Sequence, residues 1–259
     1  MDQPQFKQDG GVNMENRLQL NGLSKSFKNK VVLDDIRLDI CGGKIYGLVG
    51  ENGCGKTVLM KCICNLMIPD TGKILLNGKH PARGSFGVII ETPGFLNEFS
   101  GYQNLKMLAS LRRSVQKDEI MNMLRMVSLE ENARKRVGSY SLGMRQRLGI
   151  AQALIDNPPV LLLDEPFNAL DEKSRYQVYQ LLEQEKENGK IIILSSHHPD
   201  EIRDLCDEVF TFRDHKICKQ YKGHEHVWKK KSGHNLDDRY PVFFFVSSCL
   251  CGSFYDGQF

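Results

Sequence analysis

Apolar residues fall into short blocks separated by Gly, Pro and Asn, and the spacing inside each block assigns an element. Ile45-Tyr46-Gly47-Leu48-Val49 is an apolar run of strand length with no polar alternation, the pattern of a strand covered on both faces. Phe86-Gly87-Val88-Ile89-Ile90, Val160-Leu161-Leu162-Leu163 and Ile191-Ile192-Ile193-Leu194 repeat it. Ile36-Arg37-Leu38-Asp39-Ile40 alternates strictly, which predicts a half-buried strand with one wet face. Leu18-Gln19-Leu20 and Val31-Val32-Leu33 read as strands on either side of the turn Phe27-Lys28-Asn29-Lys30, Lys73 to Gly78 as strand and turn, and Glu208 to Cys218 as the last strand-like pieces. Helical spacing governs Val58 to Ile63, and then Leu105, Leu108, Leu111, Ile120, Met123, Leu124 and Val127 with charges between them. Three more helices follow: Arg145 to Ile155, stopped by Asn157-Pro158-Pro159; a polar helix from Glu172 to about Glu187, stopped by Asn188-Gly189; and a short one from Pro199.

Buried strands alternating with helices describe an α/β chain with a mostly parallel sheet. The strictly alternating segments near the start add a small antiparallel β part, and the helical stretch from Tyr102 to Val127 is a packed insertion. With 259 residues there is core enough for one large α/β domain or two small ones. Residues up to about Asn16 are polar and aperiodic and read as a loose tail. Beyond Lys219 the pattern fails: Trp228, Lys229-Lys230-Lys231 and Val242-Phe243-Phe244-Phe245-Val246 form no coherent element.

The net charge of +3 demands neither nucleic acid nor an acidic partner. No apolar run approaches the roughly 20 residues that span a bilayer, and Met1 to Gln5 lack the regions of a signal peptide. The eight cysteines are scattered, and Cys62/Cys64 and Cys249/Cys251 are C-x-C pairs rather than C-x-x-C, so reduced thiols and a cytosolic address are expected.

Chemistry enters between the first buried strand and the first helix. Gly50-Glu51-Asn52-Gly53-Cys54-Gly55-Lys56-Thr57 fits G-x-x-x-x-G-K-[ST] with a strand before it and a helix after it. Glycines let backbone N–H groups turn inward on an anion, and the helix N-terminus adds partial positive charge. Lys56 is then placed for the β- and γ-phosphates and the Thr57 hydroxyl for Mg²⁺. The run Val160 to Leu163 ends in Asp164-Glu165-Pro166. That ending places Asp164 to hold the metal and Glu165 to orient and polarise a water for attack on the γ-phosphate. Cys54 reads as a variable loop position whose backbone matters, and His215, His224, His226 and His234 as incidental rather than a metal site.

Six segments in order resemble the ATP-binding cassette (ABC) family, over about Arg17 to Cys218. Besides the phosphate loop and the Asp-Glu strand, Tyr140-Ser141-Leu142-Gly143-Met144-Arg145-Gln146-Arg147-Leu148 is similar to the family's signature segment. Asn168-Ala169-Leu170-Asp171 resembles its D-loop, Ser195-Ser196-His197 its switch histidine, and Phe27 the aromatic that stacks on adenine. The resemblance implies a P-loop NTPase (RecA-like) domain over residues 17–218, with a helical ABC-specific subdomain over about 95–157, a flexible tail over 1–16 and a C-terminal tail over 219–259. It implies catalytic roles for Glu165, His197 and Lys56. Nucleotide would contact Phe27, Gly50, Asn52, Gly53, Cys54, Gly55, Lys56, Thr57 and Val58, with Ser141 and Gly143 reaching the γ-phosphate held by a second copy. Mg²⁺ would be held by Thr57, Asp164 and Glu91.

A homodimer around two MgATP, joined to a separate membrane permease on the inner face of the cell membrane, follows from the same resemblance; no nucleic acid is implied. Ser-Leu-Gly-Met stands where Ser-Gly-Gly-Gln is usual, and Glu91 where most members carry glutamine. Ile-Ile-Glu-Thr-Pro-Gly-Phe is similar to the branch of bacitracin and lantibiotic resistance exporters. The alternatives are a soluble cassette acting on ribosomes or DNA, or a regulatory cassette that binds ATP without useful hydrolysis.

Overall fold

The computed structural model describes residues 16–28, 30–91, 93–111 and 116–220. The expectations for the two tails, including the lysine and phenylalanine runs and His224, His226 and His234, lie outside the described residues, except that Lys219 and Gln220, expected in the C-terminal tail, continue the last strand.

Two sheets carry the fold. β1 (Arg17–Phe27), β2 (Lys30–Cys41) and β4 (Thr71–Leu76) form an antiparallel sheet in the order β2-β1-β4. β3 (Lys44–Val49), β5 (Phe86–Ile89), β6 (Val160–Asp164), β7 (Ile191–Ser195), β8 (Glu208–Arg213) and β9 (Lys216–Gln220) form the larger sheet, in the order β5-β6-β7-β3-β8-β9. The first five of these strands are parallel and β9 returns antiparallel to β8. The helices are α1 (Lys56–Ile63), α2 (Gly101–Ser110), α3 (Lys117–Met126), α4 (Leu142–Leu154), α5 (Glu172–Glu187) and α6 (Pro199–Leu205).

The lack of alternation in β6 and β7 has a direct cause. Leu161, Leu163, Ile192 and Leu194 face one apolar cluster, shared with α4, α5, α6 and the insertion helices. Val160, Leu162, Ile191 and Ile193 face the other, shared with α1 and the antiparallel sheet through Leu59, Leu18, Leu20 and Ile40. A strand buried on both faces leaves no polar register to read. Leu105, Ala109, Ile120, Leu124 and Leu148 bind α2, α3 and α4 into the first cluster, so the insertion shares its core with the sheet.

Two local expectations change. Val31-Val32-Leu33 and Ile36 to Ile40 belong to one strand, β2, which passes through Asp35 at φ 48 with the pairing to β1 shifting register nearby. A local irregularity of this kind re-aims side chains without ending the strand. α4 begins at Leu142 rather than Arg145 because the Ser141 hydroxyl accepts from the Met144 N–H and caps it. α1 ends at Ile63, the last residue of the helical spacing read from the sequence.

Gly87 in β5 sits where a Cβ would lie 1.9 Å from the Ala153 carbonyl oxygen and 2.8 Å from Pro158 Cγ, so strand and α4 meet backbone to backbone. Gly87→Ala is expected to destabilise the protein by about 3 kcal/mol, because neither contact is a flexible side-chain end. Urea unfolding followed by circular dichroism checks it, with a fall in midpoint at unchanged slope as the expected result.

Candidate functional site

The larger sheet sets β6, β7 and β3 side by side, so their carboxyl ends deliver three segments to one place. From β3 the chain runs through Gly50 to Gly55 into α1. Gly53 (φ 77) and Gly55 (φ 122) hold left-handed or strained backbone, and a Cβ on Gly55 would lie 3.1 Å from both Val32 Cγ1 and the Val32 carbonyl oxygen. The loop therefore rests on β2 and on Phe212, 3.2 Å from the same point. No acidic residue occupies the first turn of α1 and no side chain caps it, so its N-terminal partial charge is uncompensated from within the helix. Lys56 Nζ donates to the carbonyls of Gly50 (2.8 Å) and Glu51 (3.0 Å), which draws the ammonium across the loop. Asn52 and Gly53 are exposed, while Cys54, Lys56, Thr57 and Val58 are half-buried.

β6 ends at Asp164, and the β6–β7 register sets it opposite Ser195. Thr57 Oγ1 donates to Asp164 Oδ2 at 2.7 Å, and the Ser195 hydroxyl donates to Asp164 Oδ1. The carboxylate thus joins α1 to β7. Glu165 follows at φ 51, a left-handed conformation uncommon for a residue with a Cβ. It is held there by its N–H, which donates to the Ser195 carbonyl and hydroxyl, both at 3.2 Å. Gln146 on α4 donates to the Glu165 carbonyl (3.2 Å) and the Pro166 carbonyl (3.0 Å). The conformation turns the Glu165 side chain toward His197, whose Nδ1 lies 2.8 Å from Glu165 Oε2. Both remain reachable from solvent, at 26% and 50% side-chain exposure.

Chemically this is a cradle for a polyanion beside a carboxylate–imidazole pair. The Thr57 hydroxyl and the Asp164 carboxylate are hard oxygen donors, a set that fits a divalent cation such as Mg²⁺.

Not every expected residue joins the cluster. Glu91, at φ 62 and 67% exposed, has its carboxylate on Lys61 Nζ at 2.5 Å, one helical turn beyond Thr57. Phe27 is exposed at the end of β1, with Lys25 Nζ 5.6 Å from its ring centroid. Ser141 Oγ takes the Met144 N–H at 3.2 Å. A Cβ on Gly143 would lie 2.7 Å from the Ala169 carbonyl oxygen, so that glycine has a packing reason within its own chain. Among the described residues neither of these two hydrogen-bonds to the phosphate loop. Leu142, between them, is 64% exposed.

Sequence reasoning missed Ser195 as the partner of Asp164, and Gln146. A serine ending an all-apolar strand was the available signal for Ser195, which is fully buried. Gln146 had none, since its bonds span 19 and 20 residues and are made to backbone.

A family profile described as ABC transporter matches residues 33–168. The chain is similar to the bacitracin transport ATP-binding protein BcrA of Enterococcus faecalis, 40% identical over 214 residues, covering 80% of this chain and 70% of that protein. It is similar to the lantibiotic transport ATP-binding protein SrtF of Streptococcus pyogenes, 34% identical over 215 residues, covering 81% and 93%. Among solved structures, an ATP-binding subunit of an ABC transporter superimposes with a TM-score of 0.73 at 28% identity, over 79% of this chain and 89% of that one.

Proposed function

We propose, from the premise that this chain belongs to the ABC transporter family of ATP-binding proteins, that it is the ATP-hydrolysing subunit of an exporter. ATP is the nucleotide such a cassette binds. The observation that carries the reading is the continuous set of bonds from Thr57 through Asp164 and Ser195 to Glu165 and His197, beside the loop crossed by Lys56. In this reading the loop amides of Gly50 to Val58 and the Lys56 ammonium bind the phosphates, and Phe27 takes the adenine face. Thr57 and Asp164 would hold Mg²⁺, which would offset phosphate charge when bound. Glu165 orients and polarises the attacking water, and His197 holds the carboxylate in place and lies on the γ-phosphate side.

Two copies close head to tail around two MgATP. The exposed start of α4, with Ser141 and Gly143, then faces the phosphates held by the partner copy, where a capped but uncompensated helix N-terminus favours negative charge. Glu91, on the loop that leads into the insertion, joins the metal shell only by leaving Lys61. Hydrolysis removes the charge that held the copies together, and the insertion passes the motion to a separate permease at the inner face of the membrane. The cassette itself spans residues 17–218. Among the described residues no helix is long and apolar enough to cross a membrane. The cargo class follows the similar transporters, an antimicrobial peptide or drug.

Mild-detergent extraction and affinity capture of the full chain from its own cells tests this. A polytopic membrane protein retained in stoichiometric amount is the expected result. Ribosomes or DNA in its place would overturn the transport reading in favour of a soluble cassette.

A further inference from the structure

We infer that Gln146 is a positioning residue that couples the first turn of α4 to the Glu165 carboxylate of the same chain. The inference rests on Glu165 being the hydrolytic group. Gln146 Nε2 reaches two successive carbonyls, those of Glu165 and Pro166, at 3.2 and 3.0 Å. Both partners are acceptors, so the amide nitrogen and not its oxygen must face them. Three residues earlier on the same helical face, Gly143 meets the turn again at Ala169, closely enough that a Cβ would lie 2.7 Å from the carbonyl oxygen. The turn between these points is closed on itself by Asn168 N–H on the Glu165 carbonyl (3.3 Å) and Leu170 N–H on the Phe167 carbonyl (3.2 Å). α4 is thus bonded to this turn through Gln146 and packed closely against it at Gly143, and the turn begins with a left-handed Glu165.

Glu165 has two sets of backbone restraints. Its N–H is fixed to β7 by Ser195, and its carbonyl is fixed to α4 by Gln146. The side chain leaves the backbone between them, so rotation of the peptide plane after Glu165 re-aims the carboxylate against His197. Displacement of the start of α4 is the event that rotates it. The residues at that start, Ser141 to Gly143, are the ones placed against the partner's nucleotide in the dimer, so one copy's ATP reports on the aim of the other copy's hydrolytic group. The two hydrogen bonds are the part of this linkage that a side chain supplies, and they need a donor of glutamine's reach.

The test is steady-state MgATP hydrolysis and equilibrium MgATP binding by the full chain, with melting curves for each variant. Gln146→Leu keeps size and removes the donor. Its kcat is expected to fall about ten- to hundredfold, as for a catalytic group displaced by a fraction of an ångström, with KM and nucleotide affinity within about twofold. Gln146→Lys restores a donor of similar length and is expected to recover kcat to within about fivefold of the unaltered chain. In a Glu165→Gln background, Gln146→Leu is expected to change the residual rate by less than about twofold, because the group it aims is already disabled. An unaltered kcat in Gln146→Leu overturns the inference. So does a lysine variant no better than the leucine one, or a loss that recurs in full in the Glu165→Gln background. A Glu165→Gln protein that hydrolyses at the unaltered rate instead removes the reading of Glu165, and the two failures are distinguished in the same set of assays.

Discussion

Glu165→Gln is expected to lower MgATP hydrolysis by about 10²- to 10³-fold while leaving nucleotide affinity intact, the loss that goes with removing a positioned base. The substitution is as close to surgical as this site permits. Backbone restraints from Ser195 and Gln146 act on main-chain atoms and survive it, and the replacement amide oxygen still accepts from His197 Nδ1. What disappears is the charge. Loss of a carboxylate has a second expected consequence, because in the closed dimer proposed above it would stand beside a triphosphate and repel it. The variant is therefore expected to accumulate as an ATP-bound dimer. Phosphate release measures the first effect, and gel filtration with and without MgATP the second. A variant that hydrolyses at the unaltered rate, or stays monomeric with saturating MgATP, removes the assigned role.

Lys56→Ala is expected to abolish measurable MgATP binding, a loss of more than about a hundredfold in Kd, corresponding to about 3 kcal/mol or more. Two effects add. The ammonium is drawn across the phosphate loop, so the substitution deletes a charge-assisted contact to the phosphates. It also releases the Gly50 and Glu51 carbonyls that the ammonium ties together, which lets the loop relax from its wrapped form. Titration calorimetry with MgATP checks it, and binding within tenfold of the unaltered chain would contradict the cradle. Lys56→Arg separates the two effects, since it keeps the charge with a fork too broad for the same carbonyl pair.

The segments that carry this site were legible where chemistry is written in consecutive residues. The phosphate loop, its flanking strand and helix, and the acid pair ending β6 are each contained within a few positions, and the boundaries of α5 follow from its caps. Strand order was not legible. Nothing in Val160 to Leu163 or Ile191 to Leu194 specifies that β7 lies between β6 and β3, because strands buried on both faces look alike. Ser195 was hidden for that reason: its bond to Asp164 exists only through the β6–β7 register. Gln146 was hidden because its partners are carbonyl groups, which every residue has. The expected start of α4 at Arg145 failed because Gly143 is a weak helix former, and the Ser141 cap outweighs it. Glu91 shows the converse. Its residue type suggested a metal ligand, while the structure sets it against Lys61, a neighbour supplied by the spacing along α1.

β3 has consequences for how the chain is made. Its neighbours are β7 and β8, strands that begin at Ile191 and Glu208, whereas β3 itself begins at Lys44. On the ribosome this apolar strand emerges early and stays without either lateral partner until nearly all of the cassette has been synthesised. At about 5–20 residues per second the wait is on the order of ten seconds or more, long enough for an unpaired hydrophobic edge to recruit a chaperone. The phosphate loop hangs from the end of that strand, so nascent chains released before β7 can have no ordered cradle for ATP. Premature termination anywhere upstream thus yields an inert fragment rather than a cassette that competes for nucleotide.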